Sequence, residues 1–321
     1  MKNIVHAFAA YIMRGRFQSI LVATACAVLS LTLFPLTQPI SHLSAASVSL
    51  VTLREGLRNG LIVIVGSTLV AGLLGALSTR DMNTALIFIV LFGFLVWVPV
   101  WVVSGVLRFT RALDMALVTA SILGIFFIIA MYLYVEDVTA WWSGILRESF
   151  VPALENTMMT GEEINALIQQ AADVMTGWVA AAFVMGTMIS LLLARWLQSI
   201  LYYPGGFRKE FHALRYNRNV AIAALAIALL RMLPVEMVTD ISHDIFAVII
   251  VTYMLHGLAL AHAVVAMLNV HVAWLVVVYI LVLFLPQVLI LLAAAGFADS
   301  WMDFRPRIAA RGRDRNIDHD E

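Results

Sequence analysis

The feature that most constrains this chain is a series of apolar blocks, each about 18–25 residues long, separated by short polar or basic turns. A helix of this length, rising about 1.5 Å per residue, crosses the roughly 30 Å hydrocarbon core of a bilayer. The composition agrees, because 62% of the residues are hydrophobic and only 12% are charged, whereas soluble domains are roughly 45–50% apolar and about 25% charged. The sequence therefore predicts an all-α fold, a polytopic bundle of transmembrane helices in the lipid bilayer.

The apolar blocks predict eight or nine spans. If each of the first six blocks crosses, the basic turns before residue 218 all fall on one side, which is the cytoplasmic side by the positive-inside rule. Three further blocks follow, at residues 220–233, 245–268 and 272–297. Nine crossings place the arginines of the C-terminal tail outside, against the same rule. Either the tail is an exception, or one of the late blocks does not cross.

Polar segments divide the chain into four predicted parts. We expect a transmembrane bundle at 1–203 with an acidic extracytoplasmic loop at 136–175, a basic amphipathic cytoplasmic loop at 204–218, additional transmembrane helices at 219–298, and a polar, disordered tail at 299–321. Within the bundle, the Ser- and Ala-rich segment at 40–53 is expected to form an inner helix, because small side chains allow helices to approach closely. Thr160 and Glu163 have the spacing of a capping box, which predicts a helix start within the acidic loop.

The densest interior basic cluster combines a proline–glycine turn with aromatic side chains. This composition suits a fixed amphipathic elbow at the cytoplasmic interface. Two interpretations remain open: Arg208 and Lys209 meet anionic lipid head groups, or the elbow docks a partner protein. The candidate docking residues are Arg195, Tyr203, Pro204, Gly205, Gly206, Phe207, Arg208, Glu210 and Phe211.

A second candidate site is an intramembrane polar cluster, since charge is costly in hydrocarbon and often marks function there. The cluster comprises Arg231, Asp240, His243 and Asp244. Asp240 and Asp244 are four residues apart and share a helix face, which suits metal or proton chemistry. Thr239 or Asp240 at the start of a helix more simply caps it. His256 and His262 are not spaced for one ligand face, so each is expected to bond a neighbouring helix as a neutral side chain.

Two stretches resemble a known family: LARWLQSILYYPGGFRKEFHALR at 193–215 and GFADSWMDFRPR at 296–307 are similar to the YybS-like bacterial membrane proteins, a domain-of-unknown-function family. The N-terminal half, with its basic turn REGLRNG, is distantly similar to the substrate-binding subunits of energy-coupling-factor transporters. The resemblance implies a multi-pass protein of the bacterial inner membrane. It also implies a membrane coupling protein with separate ATPases as partners, because the chain has no GxxxxGK[ST] phosphate loop of its own.

Three functional hypotheses follow from these patterns. The first is a transporter-like substrate-binding subunit for a small solute, and the alternative is a non-transporting membrane scaffold that recruits envelope or cytoplasmic partners. The third, an intramembrane enzyme using Asp240, His243 and Asp244, lacks any GxSxG, Cys–His or dinucleotide motif. We therefore expect no enzyme activity, no cofactor and no metal. Basic and acidic residues are equal in number, 20 of each, and form no basic surface for nucleic acid.

Overall fold

The computed structural model describes residues 2–32, 37–79, 82–154 and 159–308, and every secondary-structure element in these ranges is helical. The elements are α1 (Lys2–Ile12), α2 (Arg16–Thr32), α3 (Gln38–Glu55), α4 (Leu57–Thr79), α5 (Met82–Phe88), a π-helix (Ile89–Trp97), α6 (Val98–Thr110), α7 (Leu113–Tyr134), α8 (Val138–Leu154), α9 (Gly161–Tyr202), α10 (Gly206–Ala213), α11 (Arg218–Leu230), α12 (Glu236–Met267), α13 (Ala273–Phe284) and α14 (Pro286–Met302). The predicted all-α class is confirmed.

Five helical segments within the described ranges are long and apolar enough to cross a membrane. They are Leu57–Ser78, Leu86–Thr110, Leu113–Tyr134, Gly161–Tyr202 and Met237–Met267. The pairs α1–α2 and α10–α11 are each bent at a short break, and the number rises to seven if each pair forms one span. The chain is thus a helical protein with five to seven candidate spans, and the predicted eight or nine are not confirmed.

Two of the nine predicted blocks are not among these candidates: the segment at 40–53, which lies in α3, and the block at 272–297, which is broken. The predicted block at 272–297 is divided before Pro286 into α13, of 12 residues, and α14, of 17 residues. Proline removes a backbone donor and disfavours helical geometry in the residue before it, and Leu285 is extended, with φ −126° and ψ 93°. Each piece is shorter than the roughly 20 residues that a straight crossing needs.

The chain forms two compact units whose limits differ from the predicted parts. One unit contains residues 1–120 and 185–214, and the other contains residues 121–184 and 215–321. The division falls inside α7, inside α9 and between residues 214 and 215. The predicted tail also begins later, because α14 continues through residue 299 to Met302; residues 309–321 lie outside the described ranges.

In the first unit, α3 is an inner helix, as its small residues predict. All ten residues from Ser44 to Leu53 are buried. Its hydroxyls bond to neighbouring helices: the Trp97 indole donates to Ser44 Oγ at 3.0 Å, Ser44 donates to the Ala23 carbonyl at 2.6 Å, and Ser49 and Ser104 hydroxyls lie 2.6 Å apart. These bonds satisfy polar groups that lipid cannot satisfy.

In the second unit, α8 packs on the N-terminal part of α9. Their shared apolar cluster consists of Leu146, Ile164, Ile168 and Ala172. The predicted capping box is confirmed, since the Thr160 backbone N–H donates to Glu163 Oε2 at 2.7 Å and the Glu163 N–H donates to Thr160 Oγ1 at 3.3 Å. With 42 residues, α9 is about 63 Å long, which exceeds the roughly 30 Å apolar core. Its N-terminal part therefore extends beyond a single crossing.

The closest helix contact in this unit joins α12 to α14 through two glycines. A Cβ atom on Gly257 would lie 1.9 Å from the Leu292 carbonyl oxygen, and one on Gly296 would lie 2.4 Å from the Tyr253 carbonyl oxygen. Both obstacles are backbone atoms, so a side chain cannot be accommodated by a rotamer change. Small residues at this crossing hold the two backbones together.

We predict that Gly257→Ala lowers the stability of the protein. Overpacking of a tight contact costs about 1–3 kcal/mol, which exceeds the gain of up to about 1 kcal/mol from replacing a helical glycine by alanine. The melting temperature in detergent, followed by size-exclusion chromatography after heating, should fall. Gly144→Ala in α8 is the matched control, because nothing lies within 4 Å of its added Cβ. Equal melting temperatures for the two variants would contradict the close α12–α14 contact.

Candidate functional site

The predicted elbow, residues 203–211, is a fixed structure at the end of α9. Arg195, in α9, forms a bidentate ion pair with Glu210 of the elbow. Its Nε donates to Oε2 at 2.7 Å, and its Nη2 donates to Oε1 at 2.6 Å. The same guanidinium donates to Gln198 and lies 4.9 Å from the centre of the Tyr203 ring. Burial raises the pKa of the Tyr203 phenol, so this ring is neutral at ordinary pH.

The glycines of the elbow are required by its geometry. Gly205 has φ +85°, a conformation that side-chain-bearing residues rarely adopt. A Cβ atom on Gly206 would lie 2.0 Å from the Tyr203 ring. The Phe207 N–H donates to the Ser199 hydroxyl at 3.2 Å, which closes the turn back onto α9.

The other predicted elbow residues divide into packed and exposed sides. Phe207 stacks on Phe211, with ring centres 5.8 Å apart. Pro204, Arg208 and Lys209 are exposed. The elbow thus presents cations on a rigid support, which is compatible with either lipid head groups or a protein partner.

The residues of the predicted polar cluster, Arg231, Asp240, His243 and Asp244, differ in their surroundings. Asp240 and His243 are exposed, and only Asp244 is buried. The Arg231 guanidinium lies 4.8 Å from the centre of the Phe246 ring. Capping by Thr239 or Asp240 is also wrong, because α12 begins earlier, at Glu236, with Val235 as its N-cap. Both residues therefore lie inside the helix.

Asp244 instead connects three helices. Its carboxylate accepts from the Tyr132 hydroxyl at 2.9 Å and from the Gly177 backbone N–H at 3.1 Å. A Cβ atom on Gly177 would lie 2.8 Å from Asp244 Oδ1, so this contact requires glycine. Asp244 joins α7, α9 and α12 and has a structural role here. Within the described ranges, no three His, Cys, Asp or Glu side chains are placed to hold a metal ion.

A different set of ionisable groups converges at the end of α14, and we call it the ion cluster. It consists of Arg215, His256, Asp299, Asp303 and Arg305. Asp299 accepts from three groups: His256 Nε2 at 3.0 Å, Arg305 Nη1 at 2.7 Å and the Phe304 backbone N–H at 2.9 Å. The side chains of His256 and Asp299 are completely buried.

The remaining members connect this buried centre to the surface of the unit. Arg215 pairs with Asp303 at 2.7 Å, and their side chains are 34% and 44% exposed. Next to them, the Arg218 guanidinium lies 4.9 Å from the centre of the Trp301 ring. The cluster therefore extends from a partly exposed ion pair to the fully buried hydrogen bond between His256 and Asp299.

One member of the ion cluster, His256, lies within the apolar helix α12, beside the non-helical segment between α10 and α11. His256 is about 30 Å from the start of α12 and about 17 Å from its end. Thr252, one turn earlier, bonds to Ser121 near the middle of α7 at 2.7 Å. Tyr216, in the non-helical segment between α10 and α11, packs edge-on against the His256 ring at 5.3 Å. The buried His256–Asp299 pair therefore lies next to the break between α10 and α11.

Sequence reasoning missed this cluster because its members are far apart in the chain. His256 and Asp299 are separated by 43 positions, and Asp299 was placed at the start of the polar tail. The expectation that His256 and His262 bond neighbouring helices is confirmed: His256 reaches α14, and His262 bonds the Tyr279 hydroxyl on α13 at 2.9 Å. The sequence did contain one signal for the ion cluster, since Asp299 is an acidic residue within an apolar stretch that ends near Met302.

We predict that Glu210→Gln opens the elbow to protease. Loss of a charged, bidentate partner costs about 1.5–3 kcal/mol, and cleavage of a transiently opened segment follows the population of its open form. Trypsin should cut after Arg208 and Lys209 about tenfold faster or more, since about 1.4 kcal/mol corresponds to tenfold. Glu162→Gln, at the exposed start of α9, is the control. Unchanged cleavage in Glu210→Gln would show that the Arg195 pair does not hold the elbow.

Comparison of the chain with protein-family models, with curated proteins and with solved structures gave no match. The resemblance to YybS-like proteins and to energy-coupling-factor subunits therefore stays a prediction. The functional argument rests on the geometry of the ion cluster and of the elbow.

Proposed function

We propose that this chain is a transport-type subunit of a membrane, which binds a small solute and contributes to its passage. The observation that carries the proposal is the ion cluster. Ionisable groups inside membrane helices are rare and commonly mark substrate or ion pathways. Transporters place such groups where helices are discontinuous, since broken helices free backbone groups and helix ends for binding.

The energetics of the cluster favour a functional over a purely structural origin. Burying an ion pair loses hydration that its mutual attraction only partly restores, and apolar replacements are often equally stable. A helix contact already stabilised by Gly257 and Gly296 has no evident need for a buried carboxylate. A transport role supplies a reason to keep charge at Asp299 and Arg305.

The finer features of this proposal concern the membrane and its crossings. We place the chain in the bacterial inner membrane, with a coupling protein and paired ATPases as partners. The five long helices give seven crossings if each of the two bent helix pairs also counts as one span. Eight crossings result if α3 crosses as well. A ninth results if α13 and α14 form one broken span. The YybS-like resemblance is compatible with either number.

A membrane scaffold is the second candidate function, and the elbow favours it. Arg208 and Lys209 are exposed on a turn that Arg195 and Glu210 hold rigid. A preformed cationic surface binds with little loss of conformational entropy. In this alternative, envelope or cytoplasmic proteins dock at the elbow and no solute is bound.

The transport proposal predicts that a small solute stabilises the purified chain. A solute at about 100 times its dissociation constant adds about 2.7 kcal/mol of stability, so a panel of vitamins, metal ions and nucleobases should include one class that raises the melting temperature. Arg305→Gln should abolish that shift, because it removes a cation of the ion cluster. His262→Gln should retain it. A panel without any stabilising solute counts against transport.

Purification from the native membrane separates the two candidate functions. In mild detergent, the tagged chain should retain a coupling protein with paired ATPases, identified by mass spectrometry. Recovery of envelope or division proteins, lost in a variant with Arg208→Ala and Lys209→Ala, would favour the scaffold.

A further inference from the structure

We propose that Nδ1 of His256 is a buried proton-binding site, held ready by Asp299. The ligand is a proton, which adds to the Nδ1 lone pair while the Nε2–H bond to Asp299 is kept. No other bond forms or breaks. The use of this site to couple proton movement to solute passage rests on the proposed function, whereas the binding of the proton does not.

The donors around Asp299 determine which nitrogen of His256 carries hydrogen. Asp299 accepts from the Arg305 guanidinium and from the Phe304 N–H, so the carboxylate is held in its ionised form. An ionised carboxylate has no proton to donate to His256 Nε2, which lies 3.0 Å away. Nε2 must therefore carry the hydrogen, and in the neutral ring Nδ1 is a bare acceptor.

His256 Nδ1 has no hydrogen-bond partner within the part of the chain that the structure describes. The side chain is fully buried, and a buried polar atom left unpaired is unfavourable by about 1–3 kcal/mol. Such an atom calls for an explanation, and a proton is the smallest ligand that can occupy it. The pairing of a carboxylate on one ring nitrogen with a free second nitrogen is also how proteins orient histidines that accept protons.

Of the groups that face the ring, Asp299 stabilises its protonated form. From α12, the Tyr253 ring lies 6.2 Å away, and from the segment between α10 and α11 the Tyr216 ring lies 5.3 Å away. From α14 comes Asp299, with Arg305 on its far side. An imidazolium gains from the Asp299 carboxylate, while Arg305 opposes it.

Polar groups lead from the surface of the unit to the Nε2 side of the His256 ring. The Arg215–Asp303 pair is partly exposed, Arg305 experiences the charges of both partners, and Arg305 contacts Asp299. The tight α12–α14 backbone contact at Gly257 and Gly296 lies beside His256. The partly exposed ion pair therefore connects to the Asp299 carboxylate, which holds the hydrogen on Nε2 and leaves Nδ1 for the added proton.

The test is a ¹⁵N NMR titration of the full-length chain, labelled at histidine and held in lipid nanodiscs, from about pH 9 to about pH 5. The signals that vanish in His256→Gln identify His256. We expect the Nε2–H tautomer at high pH and reversible conversion to imidazolium as the pH falls. Asp299→Asn should weaken this conversion, because the imidazolium loses its carboxylate partner, while His262→Gln leaves it unchanged.

Two outcomes would overturn the proposal: His256 signals that do not change across the range, or a high-pH ring with its hydrogen on Nδ1. If His256→Gln does not fold, as judged by size exclusion, a chain in which the other seven of the eight histidines are replaced gives the same assignment. The titration needs no solute. A thermal panel without any stabilising solute would therefore contradict only the transport proposal, and His256 signals that do not change would contradict only the proton site.

Discussion

Hydrocarbon offers no hydrogen bonds, so each polar side chain inside this helical protein must find its partner on another part of the chain. The Asp299 carboxylate shows the consequence most clearly, because it collects a histidine, an arginine and a backbone N–H in a place without solvent. Asp244 meets the same requirement between α7, α9 and α12. Charged groups here connect helices, and their positions determine which helices lie side by side.

Close backbone contact is the second condition, and it depends on glycine. Gly257 and Gly296 bring α12 and α14 together, and Gly177 brings its own backbone N–H within reach of Asp244. In lipid, van der Waals contact and interhelical hydrogen bonds replace the hydrophobic effect as the forces between helices. The glycines thus allow the helices to approach closely enough for the carboxylates to bond across the contacts.

The two candidate sites differ in how their parts are held. The elbow is local: Arg195 and Glu210 are 15 positions apart, and the turn between them is determined by Gly205 and Gly206. The ion cluster is assembled from α12, α14 and the segment before α11. A local site acts as a preformed surface, whereas a site made from several helices changes when any of them moves. For this reason the ion cluster is the better candidate for a working transport site and the elbow for a docking surface.

The sequence by itself determined the helical class, the inner position of α3, the capping box at Thr160 and the composition of the elbow, because each depends on residues close together in the chain. Helix periodicity, small-residue content and turn propensity are local properties. Only the tertiary structure decided that Asp244 is buried while Asp240 and His243 are exposed, and that His256 meets Asp299 and Arg305. Such pairings depend on which helices become neighbours and at what depth, and hydropathy along a single chain contains no information about either.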